Sequence, residues 1–398
     1  MAFPPPTFSF NFYRFLWSNG PKECLEFGDY TFDEHFKKPI PSFPPREVLR
    51  DYIIGRARKT GMCDKIRFCT VVRSVTYSEN SGKFTVVSEN LKEGTKHQDT
   101  FDNVVVATGH FSSPIVPYFK GFETFPGRVM HAHDFRNACE FIGQNILVIG
   151  GSYSAEDIAL QCYKFGAKSV TISYRTKAMG FSWPESIREV PLLDKMEGNV
   201  AHFINGEKIE FDAVILCTGY RLYFPFLEED LCLKARNRLY PPLYKGVLWP
   251  KNPKLAYIGM QDQFYTFTMF DAQAWYVRDV ILGKILVPDT IAMNTDIAKW
   301  TKEEEALLRN PLKQIDFQTK YVRDISNVTD YPKVDWDLIC EMFKKWEHDK
   351  DHSILGYRDV PFKSAITGTN AKVHHTPWIK AMDDTLEMFL ATETEIKN

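Results

Sequence analysis

Residues 145–157 constrain the fold of this chain more than any other stretch; they read Asn-Ile-Leu-Val-Ile-Gly-Gly-Ser-Tyr-Ser-Ala-Glu-Asp. The apolar run at 146–149 predicts a buried strand, and the pattern of 154–165 predicts a helix directly after it. Small residues occupy the positions of a G-x-G-x-x-G/A turn between the two: Gly150, Ser152 and Ala155.

A strand, a small-residue turn and a helix start form the local architecture that receives the pyrophosphate of a dinucleotide. Small side chains suit it because the backbone must approach the phosphates closely. Ser152 replaces the second glycine, so a tight turn without a ligand remains the alternative. Glu156 and Asp157 fall in the first helical turn, where their charge suits the helix dipole.

The end of the next strand indicates which dinucleotide would bind. The strand predicted at 170–174 runs into Arg175-Thr176-Lys177, and Arg175 lies 25 residues after Gly150. An NAD site usually places an acid here for the ribose 2′-hydroxyl, whereas an NADP site offers Arg for the 2′-phosphate. Arg175 would grip the phosphate with two hydrogen bonds and Lys177 would add a point charge. NADP is therefore predicted, with a solvated basic turn as the alternative.

Composition excludes several classes of function. The 398 residues are enough for two domains. A net charge of −2 gives no indication of a nucleic-acid-binding surface. None of the eight cysteines forms a C-x-x-C pair, so neither a zinc site nor a dithiol redox motif is expected. No secretory signal and no bilayer-length apolar run occurs, which predicts a cytoplasmic protein without a membrane partner.

The remaining pattern alternates strands and helices. The first dozen residues are rich in Pro and Phe and read as irregular. The other predicted elements are a helical pattern that opens at Pro44-Pro45-Arg46-Glu47 and runs through about Lys59, a hairpin at 66–76 and 83–88, strands at 104–107, 213–217 and 255–258, a second hairpin at 199–204 and 207–211, a helix at 271–282, and a polar helical region from about 289 with Trp300, Trp336 and Trp346 as anchors.

A further motif, F-x-G-x-x-x-H-x-x-x-F, occupies residues 125–135. With it, the chain resembles the flavin-containing monooxygenases, most closely their trimethylamine monooxygenase type, from about Tyr13 to Leu390. The other matching stretches are Leu16-Trp-Ser-Asn19-Gly-Pro-Lys-Glu, Ala107-Thr-Gly109-His, the turn at Gly150, Cys217-Thr-Gly219-Tyr220, Met260-Gln-Asp-Gln263 and His374-His-Thr-Pro-Trp378. Their common order and spacing make coincidence a poor explanation.

The resemblance implies roles for particular residues. Asn19 matches the active-site asparagine beside the flavin and the nicotinamide, whereas without the resemblance it would be a turn residue. The implied cofactor-binding residues are Thr108, Gly109, Gly150, Ser152, Tyr153, Ser154, Ala155, Arg175, Lys177, Gln261 and Thr266 of the loop that closes over the flavin, and Trp378 near the nicotinamide. His131 and Phe135 of the identifying motif are expected to be structural, and no metal site is expected.

The resemblance also implies an activity and a fold. NADPH would reduce FAD, O₂ would form a C4a-hydroperoxide on the flavin, and a tertiary amine or a sulfide would take the distal oxygen. The expected fold is an α/β flavoprotein with two Rossmann-like dinucleotide-binding domains. The smaller NADP domain, 121–224, is inserted in an N-terminally truncated FAD domain formed by 1–120 and by 225–398, the latter with a C-terminal helical region. A homodimer fits the family.

One departure from the family pattern stands out. Family members open with a strand, a G-x-G-x-x-G turn and a helix that bind the ADP part of FAD, whereas here no glycine precedes Gly20. We therefore expect a chain that lacks at least one βαβ-sized piece. Two alternatives stay open: a catalytically inactive remnant that binds NADP or dimerises, and a disulfide-type pyridine-nucleotide reductase, which the missing C-x-x-C disfavours.

Overall fold

The computed structural model describes residues 13–235, 238–262, 264–307 and 310–391, so the interpretation of the first dozen residues lies outside the described part. The strands are Thr70–Ser78 (β1), Lys83–Asn90 (β2), Lys96–Phe101 (β3), Val104–Val106 (β4), Ser113–Pro114 (β5), Arg128–His131 (β6), Asn145–Ile149 (β7), Ser169–Ser173 (β8), Ile187–Val190 (β9), Leu193–Glu197 (β10), Val200–Phe203 (β11), Lys208–Glu210 (β12), Ala213–Leu216 (β13), Tyr220–Arg221 (β14) and Leu255–Tyr257 (β15). The α-helices are Phe32–Phe36 (α1), Arg46–Lys59 (α2), Tyr153–Lys164 (α3), Phe267–Ile281 (α4), Thr290–Glu305 (α5), Pro311–Ser326 (α6), Trp336–His352 (α7) and Leu386–Leu390 (α8).

A five-stranded parallel sheet, in the order β6-β13-β7-β8-β9, carries the predicted dinucleotide turn. Its central strands are continuously apolar because both faces are covered. Along β7, Ile146 and Val148 pack in the same core cluster as α3, whereas Leu147 and Ile149 pack in the cluster of the antiparallel sheet β10-β11-β12. The turn after β7 is thereby held at the carboxyl edge of a sheet packed on both sides.

A second, smaller parallel pair joins β4 to β15. Its two strands end at the same edge, so Thr108-Gly109 and Met260-Gln261 follow from neighbouring strand ends. On its other edge, β4 pairs with no strand of the described residues, and Val105 is 41% exposed. The strand and Gly-rich turn expected to open the FAD domain thus have no counterpart in the described part of the chain.

Helices α2, α4, α6 and α7 contribute to one extended core together with α3. The predicted anchors Trp300, Trp336 and Trp346 are confirmed as buried, at 4%, 6% and 4% exposure. The prediction of a helical C-terminal region is wrong beyond α7, because residues 353–385 form only short turns and irregular backbone before α8. Proline, glycine and Thr/Ser are frequent in that segment and shorten its helices.

Six strands were not predicted: β3, β5, β6, β9, β10 and β14. Strand β3 has the sequence KHQDTF and is largely exposed, so it shows no apolar alternation. Strands β9 and β10 are short and flank a proline. Helix α4 begins at Phe267, four residues before the predicted start, since Thr-Met-Phe carries no start signal of its own. Among the described helices, none has the length and apolar character required to span a membrane.

Candidate active site

The turn after β7 has the geometry that a dinucleotide site needs. Gly150 has φ +145°, and a Cβ placed on it would lie 2.2 Å from the carbonyl oxygen of Cys217 at the end of β13. Its N–H donates to the carbonyl of Ser173 at the end of β8, at 2.9 Å. A side chain is therefore excluded by the neighbouring strand, which explains glycine at this position.

The N-terminus of α3 faces outward at this turn. Ser152 is the N-cap residue and its side chain makes no capping hydrogen bond. Gly151, Ser152 and Ser154 are exposed, whereas Ala155 is fully buried against the sheet. Exposed helix N–H groups with a positive dipole end and a small residue at the packing contact suit a phosphate group.

The basic loop after β8 lies beside this turn. A Cβ placed on Gly151 would come within 3.5 Å of the Cβ of Tyr174 and 3.8 Å of the carbonyl oxygen of Lys177. Arg175 and Lys177 are both exposed. The residues therefore fit a nucleotide whose pyrophosphate lies at Gly150 and whose 2′-phosphate lies near the loop.

Contacts with helix α7 hold the side chain of Tyr153 in place. Its hydroxyl donates to Oε1 of Glu347 at 3.2 Å, and its ring lies 6.0 Å from that of Trp346. The ammonium of Lys350 lies 4.7 Å from the centre of the Tyr153 ring. Burial raises the pKa of Tyr153 well above its usual value, so the phenol stays protonated.

Two acidic residues in the first turns of α3 make buried ion pairs that the sequence did not reveal. Glu156 binds Lys350 of α7 at 2.7 Å, with side chains 3% and 2% exposed. Asp157 binds Arg358 at 2.6 Å, with side chains 9% and 1% exposed. The interpretation of these acids as partners of the helix dipole alone is thus incomplete. Their position in the first turn gives no sign of Lys350 and Arg358, which lie about two hundred residues later in the sequence.

Asn19 lies in a bend between residues that are tied down on both sides. The N–H of Ser18 donates to the carbonyl of Pro44 at 2.9 Å, and the Ser18 hydroxyl donates to the carbonyl of Gly20 at 2.5 Å. Nε of Arg358 donates to the carbonyl of Ser18 at 3.2 Å. Asn19 itself is half-buried.

Residues predicted to contact the flavin lie at the carboxyl edge of the β4–β15 pair. Thr108 and Gly109 are exposed after β4. His110 anchors this edge by donating Nδ1–H to the carbonyl of Gly259 at 2.7 Å. Burial lowers the pKa of His110, which keeps the ring neutral. An open edge at two parallel strand ends is where open α/β sheets bind ligands.

Gln261 differs from the expected orientation. Its amide nitrogen donates to the carbonyl of Gly246 at 2.9 Å and the whole residue is buried, so much of its side chain serves the core. Its Oε1, and Oγ1 of the α4 N-cap residue Thr266, are buried oxygens without a hydrogen-bond partner within the described ranges. Gln263, between them in the matched motif, lies outside the described residues.

Trp378 is 1% exposed and packs at the far end of α3. Lys164, the last residue of that helix, places its ammonium 4.5 Å from the indole centre, and Arg358 places its guanidinium carbon 4.4 Å from it. The structure therefore links Trp378 to the Gly150 turn through Arg358 and α3. Phe135 and His131 of the identifying motif are buried, and His131 accepts from the N–H of His133 at 3.0 Å.

Comparison with known proteins decides the family. The sequence model of the flavin-binding monooxygenase-like family matches residues 9–183 and 187–348. This chain belongs to that family. The trimethylamine monooxygenase of Pelagibacter ubique strain HTCC1002 is 57% identical over 379 residues, which is 95% of this chain and 85% of that protein.

Solved structures agree with the family assignment. The crystal structure of Tmm from Pelagibacter sp. strain HTCC7211 superposes with a TM-score of 0.93 at 56% identity and covers 96% of this chain and 86% of that one. The S-allyl-L-cysteine S-oxygenase of Allium sativum gives a TM-score of 0.77 at 27% identity, covering 88% and 81%. The predicted fold, a flavoprotein with two dinucleotide-binding domains, is confirmed.

Family membership confirms the predicted activity as a flavin-dependent monooxygenase with FAD and NADP(H) as cofactors. The disulfide-reductase alternative is not supported. The alternative of an inactive remnant also finds no support, since the match to the trimethylamine monooxygenase covers 95% of this chain.

Proposed function

We propose that this monooxygenase oxygenates small tertiary amines, with trimethylamine as the leading substrate. The observation that carries the proposal is the 57% identity to the Pelagibacter ubique protein named trimethylamine monooxygenase. When bound, the flavin supplies the activation of O₂, and the protein contributes binding, orientation and exclusion of water.

The NADP side of the site is assigned to the five-stranded sheet. The Gly150 turn and the exposed N-terminal residues of α3 would bind the pyrophosphate, because a helix N-terminus offers free N–H groups and the positive end of the dipole. Arg175 and Lys177 would bind the 2′-phosphate. Tyr153, held as a neutral phenol against Trp346, would close the inner side of the nucleotide site.

The flavin side is assigned to the edge where β4 and β15 end. Thr108 and Gly109 offer exposed backbone at that edge, and the buried oxygens of Gln261 and Thr266 are candidate acceptors for polar ring atoms. Asn19 would orient the reacting ends of the two cofactors through its half-buried amide. Trp378 would support this arrangement from behind.

The organisation of the chain follows from these assignments. We place the NADP domain at 121–224, within which all five strands of the parallel sheet fall, and the FAD domain at 1–120 and 225–398. A cytoplasmic homodimer that binds no nucleic acid is proposed from the net charge of −2 and from the resemblance to the family.

The test is a substrate-dependent reaction of the purified chain supplied with FAD. We expect NADPH oxidation to yield trimethylamine N-oxide in proportion to the NADPH consumed. Dimethyl sulfide at the same concentration serves as the comparison, since a preference for it would move the assignment to S-oxygenation. A protein that retains flavin but forms neither product would contradict the proposed substrate class.

A further inference from the structure

Arg358 contacts three segments that are far apart in the sequence. One amino group of its guanidinium binds Asp157 at 2.6 Å, and Nε donates to the carbonyl oxygen of Ser18 at 3.2 Å. Its guanidinium also lies 4.4 Å from the ring centre of Trp378. The side chain is 1% exposed, so water does not compete for these contacts.

All three segments carry predicted site residues, Trp378 being one itself, and the other two matter most here. Asp157 lies in the first turns of α3, directly after the small-residue turn that begins at Gly150. Ser18 precedes Asn19, and the Ser18 carbonyl belongs to the same planar peptide unit as the Asn19 N–H. A hydrogen bond to that carbonyl therefore restrains the orientation of the backbone from which the Asn19 side chain projects.

The contact set suits arginine in particular. A planar guanidinium directs N–H groups along several fixed lines, so one group can hold Asp157 while another holds the Ser18 carbonyl. A lysine ammonium is a single point charge at the end of a flexible chain and lacks a donor at the Nε position. Removing the cation would also leave Asp157 buried without its partner, which is strongly destabilising.

The same helix provides a matched comparison. Glu156 and Lys350 form an equally buried pair at 2.7 Å one residue earlier in α3. Lys350 belongs to α7 and contacts Tyr153, Phe181 and Trp346 through their rings. Both pairs connect α3 to the C-terminal part of the chain. Arg358 also donates a hydrogen bond to the loop that contains Asn19.

We infer that Arg358 is a positioning residue that couples the NADP-binding turn to Asn19, with Asp157 as its anchor on α3. This inference rests on the proposed function for the roles of the turn and of Asn19. Nucleotide binding at the turn is thereby transmitted to the backbone at residues 18–20. NADPH oxidation stays coupled to oxygenation because Asn19 is held in position beside the nicotinamide.

Hydrogen exchange of the Ser18 amide, which donates to the carbonyl of Pro44 at 2.9 Å, tests the coupling without requiring turnover. In Arg358→Met, we expect exchange of this amide to rise about tenfold or more, the factor for losing one charge-assisted hydrogen bond. Saturation with NADP⁺ should slow exchange there in the parent protein and not in the variant. Lys350→Met, which unpairs the neighbouring acid, should leave exchange at Ser18 at the parent value.

Turnover gives the second measurement. Arg358→Lys and Asp157→Asn should increase the fraction of NADPH that yields hydrogen peroxide instead of N-oxide, with a smaller change in the NADPH concentration at half-maximal rate. These conservative variants also decide the matter if Arg358→Met does not fold. A purely structural Arg358 would lower thermal stability in both variants and leave the uncoupled fraction unchanged.

The outcomes separate the inference from the proposed function. Equal exchange at Ser18 in Arg358→Met and Lys350→Met, or full coupling in Arg358→Lys, would overturn the positioning role. A parent protein that forms no N-oxide would contradict the proposed substrate, yet the exchange experiment with NADP⁺ would still decide whether Arg358 connects the two segments.

Discussion

At the scale of single residues, backbone and burial decide which positions of the site can vary. Gly150 and Gly151 are neighbours in the same turn, but the space around them differs. A Cβ on Gly150 meets backbone at 2.2 Å, whereas a Cβ on Gly151 has its nearest neighbour, the Cβ of Tyr174, at the ordinary contact distance of 3.5 Å. The first glycine is dictated by packing against β13, and the second is not.

Gly150→Ala should lower the free energy of unfolding by about 1–3 kcal/mol or more, because a positive φ and a backbone clash are combined. It should also weaken NADPH binding by displacing the turn. Urea unfolding and nucleotide titration measure the two effects. Gly151→Ala is the matched control and should stay near the parent value; equal losses in both variants would contradict the packing argument.

Arg175→Ala should weaken NADPH binding by about 10- to 100-fold, the factor for losing charge-assisted hydrogen bonds to a phosphate. NADH lacks the 2′-phosphate and should bind the variant and the parent equally. The ratio of the two dissociation constants is the measurement. A parallel loss for both nucleotides would show that the exposed loop after β8 does not bind the 2′-phosphate.

Lys164 predicts a pH dependence of stability. Its Nζ has no hydrogen-bond partner in the part of the chain described, and burial, then Arg358, lowers its pKa from 10.5 to about 7. Between those values the unfolded chain binds a proton that the folded chain does not, so this residue makes stability rise with pH. The unfolding free energy should therefore increase from about pH 7 to about pH 9 in the parent. In Lys164→Met that rise should be smaller, and an unchanged slope would assign it to other groups.

At the scale of secondary-structure elements, α3 is the proposed nucleotide-binding helix and also joins the sheet to the C-terminal helices. Its apolar face packs on the sheet, while its first turns reach α7 and Arg358 through buried charges. Such pairs fix orientation more than they add net stability, because desolvation offsets most of the attraction.

Lys350→Met should destabilise the protein by about 3–5 kcal/mol, since it leaves Glu156 buried without a partner. Adding Glu156→Leu should recover most of that loss, because two apolar side chains need no compensation. The measurement is chemical unfolding of the two single variants and the double variant. A double variant as unstable as Lys350→Met would mean that the pair itself supplies large net stability.

At the scale of the whole molecule, the parallel five-stranded sheet and the helices of the C-terminal half share one continuous core cluster. We therefore expect ligand binding at one place to affect residues across that core. The edge after β4 and β15 is open by comparison, and no described strand completes β4.

NADP⁺ at about 100 times its dissociation constant should stabilise the fold by about 2.7 kcal/mol. We expect slower hydrogen exchange in α7 as well as at the turn, because Glu156 and Tyr153 contact that helix. Exchange measured with and without nucleotide checks this. Protection confined to the turn and to the loop at 174–177 would show that the buried pair does not transmit binding.

The sequence alone determined the strand–turn–helix at Gly150, the continuously apolar strands around it and the family. These features depend on neighbours a few residues apart, and the requirements of a tight turn or a buried strand are local. Strand β3 is polar and exposed and has no such local pattern, so it was not predicted.

Only the tertiary structure decided what surrounds these motifs. In the packed molecule, Glu156 and Asp157 form buried ion pairs in addition to lying at the positive end of the helix dipole. Trp378 packs against Lys164 and Arg358, and Gln261 is buried in the core. No local pattern could show this, because each contact joins residues that are brought together only when the helices pack around the sheet. The burial that makes these charges significant exists only in the packed molecule.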